Sequence, residues 1–305
     1  MAEKRDTEIK KVKDTVVDYY ENVAADYSSH YDESISFGDN SYYPANFIRL
    51  QMLVERIKAS GIRSLYDIGA GEGTPMKYFH NMGLKVAGCD MSPSMVKAAL
   101  DTLTPLGLSD DTVIQADIED ITSLSTHIQQ GPYDAAIALG VLPHIIDEDL
   151  FFKNLKKLVK KKGKIFVEFR NKLFSLFTFN QHTRDFIIDD LLVDVSDRVR
   201  SVVDKDLIKR LEIGEDGTNN RHECAPSFSK NQARFHNPLE LIVKLRSYGF
   251  QDIRLNWYHY HPAPPILKDQ IQDIFKEEAL RLEKQSDDWR GFFLCSAGVI
   301  EGTLQ

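Results

Sequence analysis

Apolar positions along the first half of the chain form short runs that alternate with amphipathic segments. Each run is six to ten residues with many aliphatic and aromatic positions, which is typical of a strand buried on both faces. The segments between them repeat apolar residues at helical spacing. Strand-like runs occupy residues 64–69, 84–90, 111–117, 133–142 and 163–169, and helix-like segments occupy 45–58, 74–83, 92–103 and 149–162. This alternation predicts βαβ units, right-handed crossovers and a parallel sheet.

The alternation stops after residue 169. Residues 170–235 contain no clear strand, although 182–195 has a helical pattern and 214–232 is rich in loop-forming residues. Such a segment is too long for a plain connection, so we interpret it as a lid or a substrate-recognition element. A helix at 237–250 and two strand-like segments at 251–261 and 291–302, separated by a helix at 268–284, complete the pattern.

These patterns divide the chain into four predicted regions. Residues 1–60 form an N-terminal helical cap, and 61–169 form a Rossmann-like ligand-binding core. Residues 170–236 form the insertion, and 237–305 return to the core with the last helices and strands.

Composition is ordinary for a globular α/β protein of 305 residues, and the net charge excludes few classes of function. A net charge of −8 argues against broad electrostatic binding to nucleic acid. The three cysteines form no CxxC pair, which argues against a disulfide framework or a structural zinc site. The N-terminus lacks an apolar signal region, and no apolar run is long enough to span a membrane. We therefore expect a cytoplasmic monomer or homodimer with no membrane partner and no metal.

The stretch DIGAGEG at residues 67–73 follows the first predicted strand and is rich in glycine. Ligands bind open α/β sheets beyond the carboxyl ends of the strands, and glycine allows the backbone to approach them closely. The dinucleotide pattern GxGxxG would place its third glycine at Thr74, so the spacing here is GxGxG. Asp90, at the end of the second strand, is placed to accept hydrogen bonds from ribose hydroxyls, and Asp117, after the third, to bind an adenine amino group.

Four motifs together resemble the class I methyltransferases that use S-adenosylmethionine. They are LYDIGAGEG, GCDMSPSMV, QADIED and YDAAIALGVLPHI, in the order and spacing of that family. The resemblance implies a seven-stranded, doubly wound, mostly parallel sheet with its last strand antiparallel. It also implies S-adenosylmethionine as cofactor and S-adenosylhomocysteine as product. By the same resemblance, the cofactor contacts are Asp67, Gly69, Ala70 and Gly71 at the methionine end, Asp90 and Met91 at the ribose, Asp117 and Ile118 at the adenine, Leu139 beneath the cofactor, and Tyr27 from the N-terminal cap.

Methyl transfer requires a nucleophile positioned in line with the sulfonium methyl group, and a hydroxyl acceptor benefits from a general base. His144 follows the fourth strand, beside the expected transfer site, and His236 ends the insertion, so both are candidate catalytic residues. Each has a plain structural alternative, which for His144 is packing against or capping the next helix. Glu168 either faces the site or pairs with a structural partner, and the histidines His259 and His261 either line the site or pack at the sheet edge.

Five residues are candidate substrate ligands. Arginines suit a phosphate or a carboxylate, so a sugar, a nucleotide sugar or a natural-product intermediate fits as acceptor. The alternative is a solvated loop with no specific role. The candidates are Tyr31, Arg170, Arg221, His222 and Arg234.

The favoured function is O- or N-methylation of a small molecule. A methyltransferase acting on exocyclic base amines would carry an (Asp/Asn/Ser)-Pro-Pro-aromatic motif after the fourth strand, where this chain reads ALGVLPHI. Protein methylation and a non-catalytic cofactor-binding module remain the alternatives. An intact glycine turn argues against the second.

Overall fold

A computed structural model of the chain describes residues 12–18, 43–211, 233–284 and 287–305. Within these ranges the architecture is a single twisted sheet with helices on both faces.

The sheet has seven strands in the order β3-β2-β1-β4-β5-β7-β6. Strands β1 to β5 pair in parallel, whereas β7 lies antiparallel between β5 and β6. The strands are β1 (Ser64–Ile68), β2 (Lys85–Asp90), β3 (Val113–Gln115), β4 (Tyr133–Ala138), β5 (Val159–Arg170), β6 (Phe250–Tyr260) and β7 (Cys295–Leu304). The doubly wound, mostly parallel sheet with one antiparallel strand confirms the predicted fold class.

Helices connect the strands and cover both faces of the sheet. The α-helices are α1 (12–18), α2 (Ala45–Ser60), α3 (Thr74–Asn81), α4 (Pro93–Leu103), α5 (Ser125–Gln130), α6 (Glu148–Leu158), α7 (Ser175–Thr178), α8 (Gln181–Asp185), α9 (Asp197–Leu211), α10 (Pro238–Ser247), α11 (Gln272–Glu283) and α12 (Gly291–Leu294). Short 3₁₀ turns occur at Leu142–His144 and Lys172–Phe174, and a π-helical turn occurs at Phe186–Leu191.

Local signals placed two helix starts correctly. Ser92 caps α4 by accepting a hydrogen bond from the backbone of Met95, with Pro93 as the first helical residue. Asn237 caps α10 in the same manner, and Pro238 follows it. In both cases the side-chain oxygen satisfies a backbone N–H that the first helical turn leaves without a partner.

Several elements differ from the sequence expectation, and three cases are instructive. The predicted helix 149–162 ends at Leu158, because Val159 joins β5 and Lys162 adopts a positive φ of 64°. The predicted strand 291–302 begins instead with α12, and β7 starts at Cys295. The exposed and highly charged helix α9 in the insertion was missed, because it buries no residue and so has no clear apolar periodicity.

The core lies on both faces of the sheet and is continuous with the strand ends. Side chains such as Phe151 and Trp257 fill one face, and Leu53 and Phe166 fill the other, all essentially buried. Because β1 to β5 run in parallel, their carboxyl ends lie at one edge of the sheet, and β6 ends at the same edge. None of the helices in the described ranges combines the length and hydropathy needed to cross a membrane.

Candidate functional site

The glycine turn after β1 is held against the end of β2. The backbone N–H groups of Gly69 and Ala70 donate to the carbonyl of Cys89 at 2.8 and 2.9 Å. Gly69 has a φ of 69°, and a Cβ atom there would lie 2.4 Å from Cγ2 of Val141. Gly69 is thus required twice, for its left-handed backbone and for the close approach of the turn after β4.

Asp67 is the last polar residue of β1 before this turn. Its side chain is 1% exposed, and neither carboxylate oxygen has a hydrogen-bond partner among the described residues. Burial raises the pKa of Asp67 well above its ordinary value, and the nearby negative charge of Asp90 raises it further. A buried carboxylate with this surplus of acceptors fits a cationic ligand group, because a cation would satisfy the oxygens and stabilise their charge.

Asp90 closes the turn from the end of β2. One carboxylate oxygen accepts from the backbone of Gly71 and the other from the backbone of Ser92, each at 2.9 Å. Burial raises the pKa of Asp90, although these hydrogen bonds oppose the shift. Asp90 therefore fixes the glycine turn as well as facing the cavity beside Met91.

Asp117 is engaged by a residue that the sequence analysis did not identify. Lys13, on α1, donates to Oδ2 of Asp117 at 2.5 Å and lies 3.1 Å from Oε2 of Glu119. The second oxygen of Asp117 accepts from the backbone of Glu119 at 2.9 Å. The expected adenine contact is thus already a partner of an ammonium group.

A cavity at the carboxyl edge of the sheet is bordered by Asp67, the glycine turn and Asp90. It spans about 1020 Å³ including its open mouth, which is large enough for a nucleoside with an amino-acid side arm. We call it the cofactor pocket. Predicted residues that line it are Asp67, Gly69, Ala70, Gly71, Asp90, Met91, Ile118, Leu139 and His144.

Several lining residues were not predicted. Glu72 and Val141 lie within the quoted motifs, but the motifs did not single them out. Lys13, Val16 and Val17 come from α1, and no sequence signal linked that helix to the third strand. Asp117 is absent from the lining of this pocket, and Glu119 lies there instead.

At the side of the pocket, three partly exposed polar residues gather where β4, β5 and β6 end. They are His144, Arg170 and His259, which we call the acceptor rim. Burial lowers the pKa of His144 to about 4, and the charge of Arg170 contributes to the shift. The pKa of His259 is lowered to about 4 by the same two causes in the same order. Both imidazoles are therefore neutral at physiological pH.

A buried polar network supports the acceptor rim. Arg49 of α2 forms an ion pair with Glu168 of β5, and the hydroxyl of Tyr258 on β6 donates to the other oxygen of Glu168 at 2.5 Å. Burial raises the pKa of Glu168, but the charge of Arg49 and the Tyr258 hydrogen bond outweigh it, and the net pKa is lowered. The charged Glu168 thus has the structural partner that the sequence left open.

The other candidate base, His236, lies in a different environment. Its side chain is 6% exposed, and Nε2 lies 3.3 Å from Oε1 of Glu148. The backbone of His236 donates to the carbonyl of Arg170 and accepts from Lys172, so this residue joins the end of the insertion to β5. This placement favours the structural alternative.

Arg234 holds the turn that carries His144. Its backbone N–H donates to the carbonyl of Pro143 at 2.8 Å, and its guanidinium donates to the carbonyl of Ile146 at 3.1 Å. The remaining candidates Tyr27, Tyr31, Arg221 and His222 lie outside the described residues. Among the residues described, no group of three or more His, Cys, Asp or Glu side chains is arranged to hold a metal ion.

Comparison with known proteins agrees with this geometry. Residues 66–167 match the family model of a methyltransferase domain. A ubiquinone biosynthesis O-methyltransferase of Xylella fastidiosa (strain 9a5c) is 30% identical over 132 residues, 43% of this chain and 51% of the relative. Its counterpart in Xylella fastidiosa (strain M23) is 29% identical over 168 residues, 52% of this chain and 66% of the relative. The chain thus spans about half the length of the first of these relatives and two thirds of the second.

The fold is shared with a solved structure along almost the whole chain. Magnesium protoporphyrin IX methyltransferase from Synechocystis PCC 6803, crystallised with bound SAH, superposes with a TM-score of 0.52. It is 17% identical and the match covers 96% of this chain and 100% of that chain. At this identity the likeness describes the fold.

Proposed function

We propose that this chain is a class I S-adenosylmethionine-dependent methyltransferase, which the methyltransferase domain matched by residues 66–167 and the shared fold support, and that it methylates an oxygen or nitrogen atom of a small molecule. The observation that carries the proposal is the buried Asp67 carboxylate facing the cofactor pocket, with no hydrogen-bond partner on either oxygen among the described residues. An aliphatic ammonium group, such as that of the methionine moiety, would supply hydrogen-bond donors to these oxygens and a charge that balances the carboxylate.

The remaining pocket residues orient the rest of the cofactor. Gly69, Ala70 and Gly71 allow close approach at the methionine end, and Asp90 with Met91 holds the ribose. Ile118 and Leu139 are apolar and line the pocket, so they suit the faces of the adenine ring and the cofactor above the sheet. When bound, S-adenosylmethionine supplies a methyl carbon that is already activated by its sulfonium.

The acceptor rim provides a neutral imidazole and a positive charge beside the site of methyl transfer. Neutral His144 lines the pocket wall, where it can orient an incoming hydroxyl and take up its proton during transfer, although a pKa lowered to about 4 makes it a weak base. Arg170 contributes a positive charge close to both rim histidines. His236 is the weaker choice as a base, because it is buried against Glu148.

Two observations favour oxygen over nitrogen as the accepting atom. The charge of Arg170 would repel a protonated amine and stabilise the anion of an ionising hydroxyl. The curated relatives named above are O-methyltransferases. Arg170 also suits an acceptor with a carboxylate or phosphate, as in a sugar acid or a nucleotide sugar.

The test begins with calorimetric titration of S-adenosylmethionine and S-adenosylhomocysteine into the protein and into Asp67→Asn. We expect micromolar binding of both ligands, weakened by about tenfold or more in the variant because a charge-assisted hydrogen bond is lost. The exposed Asp101→Asn on α4 is the matched control and should bind as the unmodified protein does.

Transfer is then measured with cofactor carrying a labelled methyl group, offered with matched hydroxyl, carboxylate and amine acceptors. Label in a hydroxyl or carboxylate acceptor supports the proposal, and label in amines alone would reverse the preference for oxygen. Cofactor binding without transfer to any acceptor would favour a binding module, and no cofactor binding would overturn the proposal.

A further inference from the structure

Helix α1 contributes one wall of the cofactor pocket. Lys13, Val16 and Val17 line it on the side of Ile118 and Glu119, which is the end assigned to adenine. Because the two valines are apolar, they suit the face of a nucleobase. Lys13 is the one cationic side chain among the described residues that line this pocket.

The ammonium group of Lys13 is placed between two carboxylates. Its Nζ lies 2.5 Å from Oδ2 of Asp117 and 3.1 Å from Oε2 of Glu119. The side chains of Lys13 and Asp117 are each 22% exposed and that of Glu119 is 6% exposed. Burial lowers the pKa of Lys13, but the hydrogen bonds and charges of the two acids outweigh it and the net pKa is raised. Lys13 is therefore charged and partly shielded from water.

The two oxygens of Asp117 have different partners. Oδ1 accepts from the backbone N–H of Glu119 at 2.9 Å, and Oδ2 accepts from Lys13. Lys13 lines the pocket whereas Asp117 does not, so a base amino group that approaches Asp117 from the pocket meets the ammonium group of Lys13 at Oδ2. The 6-amino group of adenine and the ammonium group of Lys13 therefore compete at the same atom.

We propose that Lys13 is a specificity-determining residue of the cofactor site, which competes with the adenine 6-amino group for Oδ2 of Asp117 and so sets the affinity for the cofactor and the selectivity for its base. This inference rests on the proposed function, because it assumes an adenosyl cofactor. As adenine takes Oδ2, Lys13 keeps Glu119 as its partner. Lys13 thus lowers the affinity for adenine, whereas its ammonium group can donate a hydrogen bond to a base with a 6-oxo group.

The test compares S-adenosylhomocysteine with S-inosylhomocysteine, which carries a 6-oxo group in place of the 6-amino group. Both are titrated into the full chain, Lys13→Met and Lys97→Met. Lys97 is exposed on α4, so its substitution removes the same charge away from Asp117. We expect Lys13→Met to bind S-adenosylhomocysteine about fivefold more tightly, the equivalent of one partly exposed ion pair. It should bind S-inosylhomocysteine no more tightly than before, and Lys97→Met should leave both affinities unchanged.

Ionic strength gives a second readout that needs no substitution. Salt screens a partly exposed ion pair, so a higher salt concentration should weaken the ion pair between Lys13 and Asp117. The affinity for S-adenosylhomocysteine relative to that for S-inosylhomocysteine should then increase in the unmodified protein and stay constant in Lys13→Met. Lys13→Arg is the second variant. Its guanidinium binds carboxylates more firmly than an ammonium group does, so Lys13→Arg should weaken the binding of S-adenosylhomocysteine.

Equal changes for both ligands in Lys13→Met, or weaker binding of S-adenosylhomocysteine alone, would overturn the competition and leave Lys13 as a wall residue. The same holds if Lys13→Arg binds S-adenosylhomocysteine as the unmodified protein does. Failure of the unmodified protein to bind either ligand is a different result, which overturns the proposed function and the inference together.

Discussion

The cofactor pocket and the acceptor rim lie at the same edge of the sheet but are assembled in opposite ways. The pocket is built largely from contiguous turns, such as residues 67–72 and 89–92, each following one strand. The rim brings together His144, Arg170 and His259, which lie on separate parts of the chain and share no motif. A contiguous turn encodes its geometry locally, whereas the rim depends on the register of β5, β7 and β6. Among the described residues the two regions share only His144, so we expect a change elsewhere in one region to have little effect on the other.

The sharpest test of this separation is His144→Gln in the rim. We expect turnover to fall by about 10²–10⁴-fold, because the proton acceptor is lost. Affinity for S-adenosylhomocysteine should stay within about threefold of the unmodified value, since Gln keeps a similar volume at the pocket wall. Steady-state kinetics and calorimetry measure the two quantities. His182→Gln, an exposed histidine in the insertion, is the control. A parallel loss of affinity would mean that the two regions are not independent.

The opposite change is made with Asp90→Ala in the pocket. The substitution leaves the backbone N–H groups of Gly71 and Ser92 without their carboxylate acceptor. We expect cofactor affinity to fall by about 100-fold, from the loss of these hydrogen bonds and of the ribose contact. Asp101→Ala on the outside of α4 should have no effect. If Asp90→Ala slows turnover at saturating cofactor as strongly as it weakens binding, the division between the regions fails.

A smaller effect is expected from Arg234→Ala, which acts on the rim through the backbone. The guanidinium donates to the carbonyl of Ile146, beside the turn that carries His144. Its loss should lower turnover by about three- to tenfold, since one hydrogen bond contributes about 1 kcal/mol to holding this turn. Arg234→Lys should recover part of the rate. The exposed Arg246→Ala on α10 is the control, and equal rates for Arg234→Ala and Arg246→Ala would contradict the positioning role.

The smallest effect concerns stability beneath the rim. Tyr43 stacks on His259 with ring centres 4.9 Å apart, and its hydroxyl donates to Glu283. Burial raises the pKa of Glu283 to about 7, although hydrogen bonds from Tyr43 and the backbone of Tyr260 oppose the shift. A raised carboxyl pKa stabilises the folded state most below the unfolded pKa, and that contribution is lost as pH rises through about 7.

Glu283→Gln should therefore melt at the same temperature as the unmodified protein near pH 4, below the unfolded pKa of about 4.3. At pH 8 we expect it to melt about 3 °C higher, after allowance for partial exposure. Thermal melts from pH 4 to 8 measure the difference, and Glu277→Gln on the exposed face of α11 should show none. A constant difference across this range would exclude Glu283 as its source.

The sequence predicted the sheet and the turns after β1 and β2, because apolar runs and glycine spacing are local signals. Asp67 and Asp90 lie where the motifs indicated, at the edge of the sheet that faces the pocket. Lys13 escaped prediction because the contact with Asp117 joins two distant segments, and no periodicity encodes such a pair. The rim histidine His259 was left between two interpretations for the same reason, because only the pairing of β6 with β7 brings it to the edge.

The antiparallel placement of β7 also bears on how the range of acceptors could be altered. Ala297 pairs with Arg170 on one side and with Tyr258 on the other. Paired residues in such a ladder point to the same face, so a small side chain separates the rim arginine from the tyrosine that supports it. A larger side chain at position 297 would reduce the space beside the acceptor rim and leave the glycine turn unchanged. Position 297 is therefore the first that we would randomise to change which molecules the protein accepts.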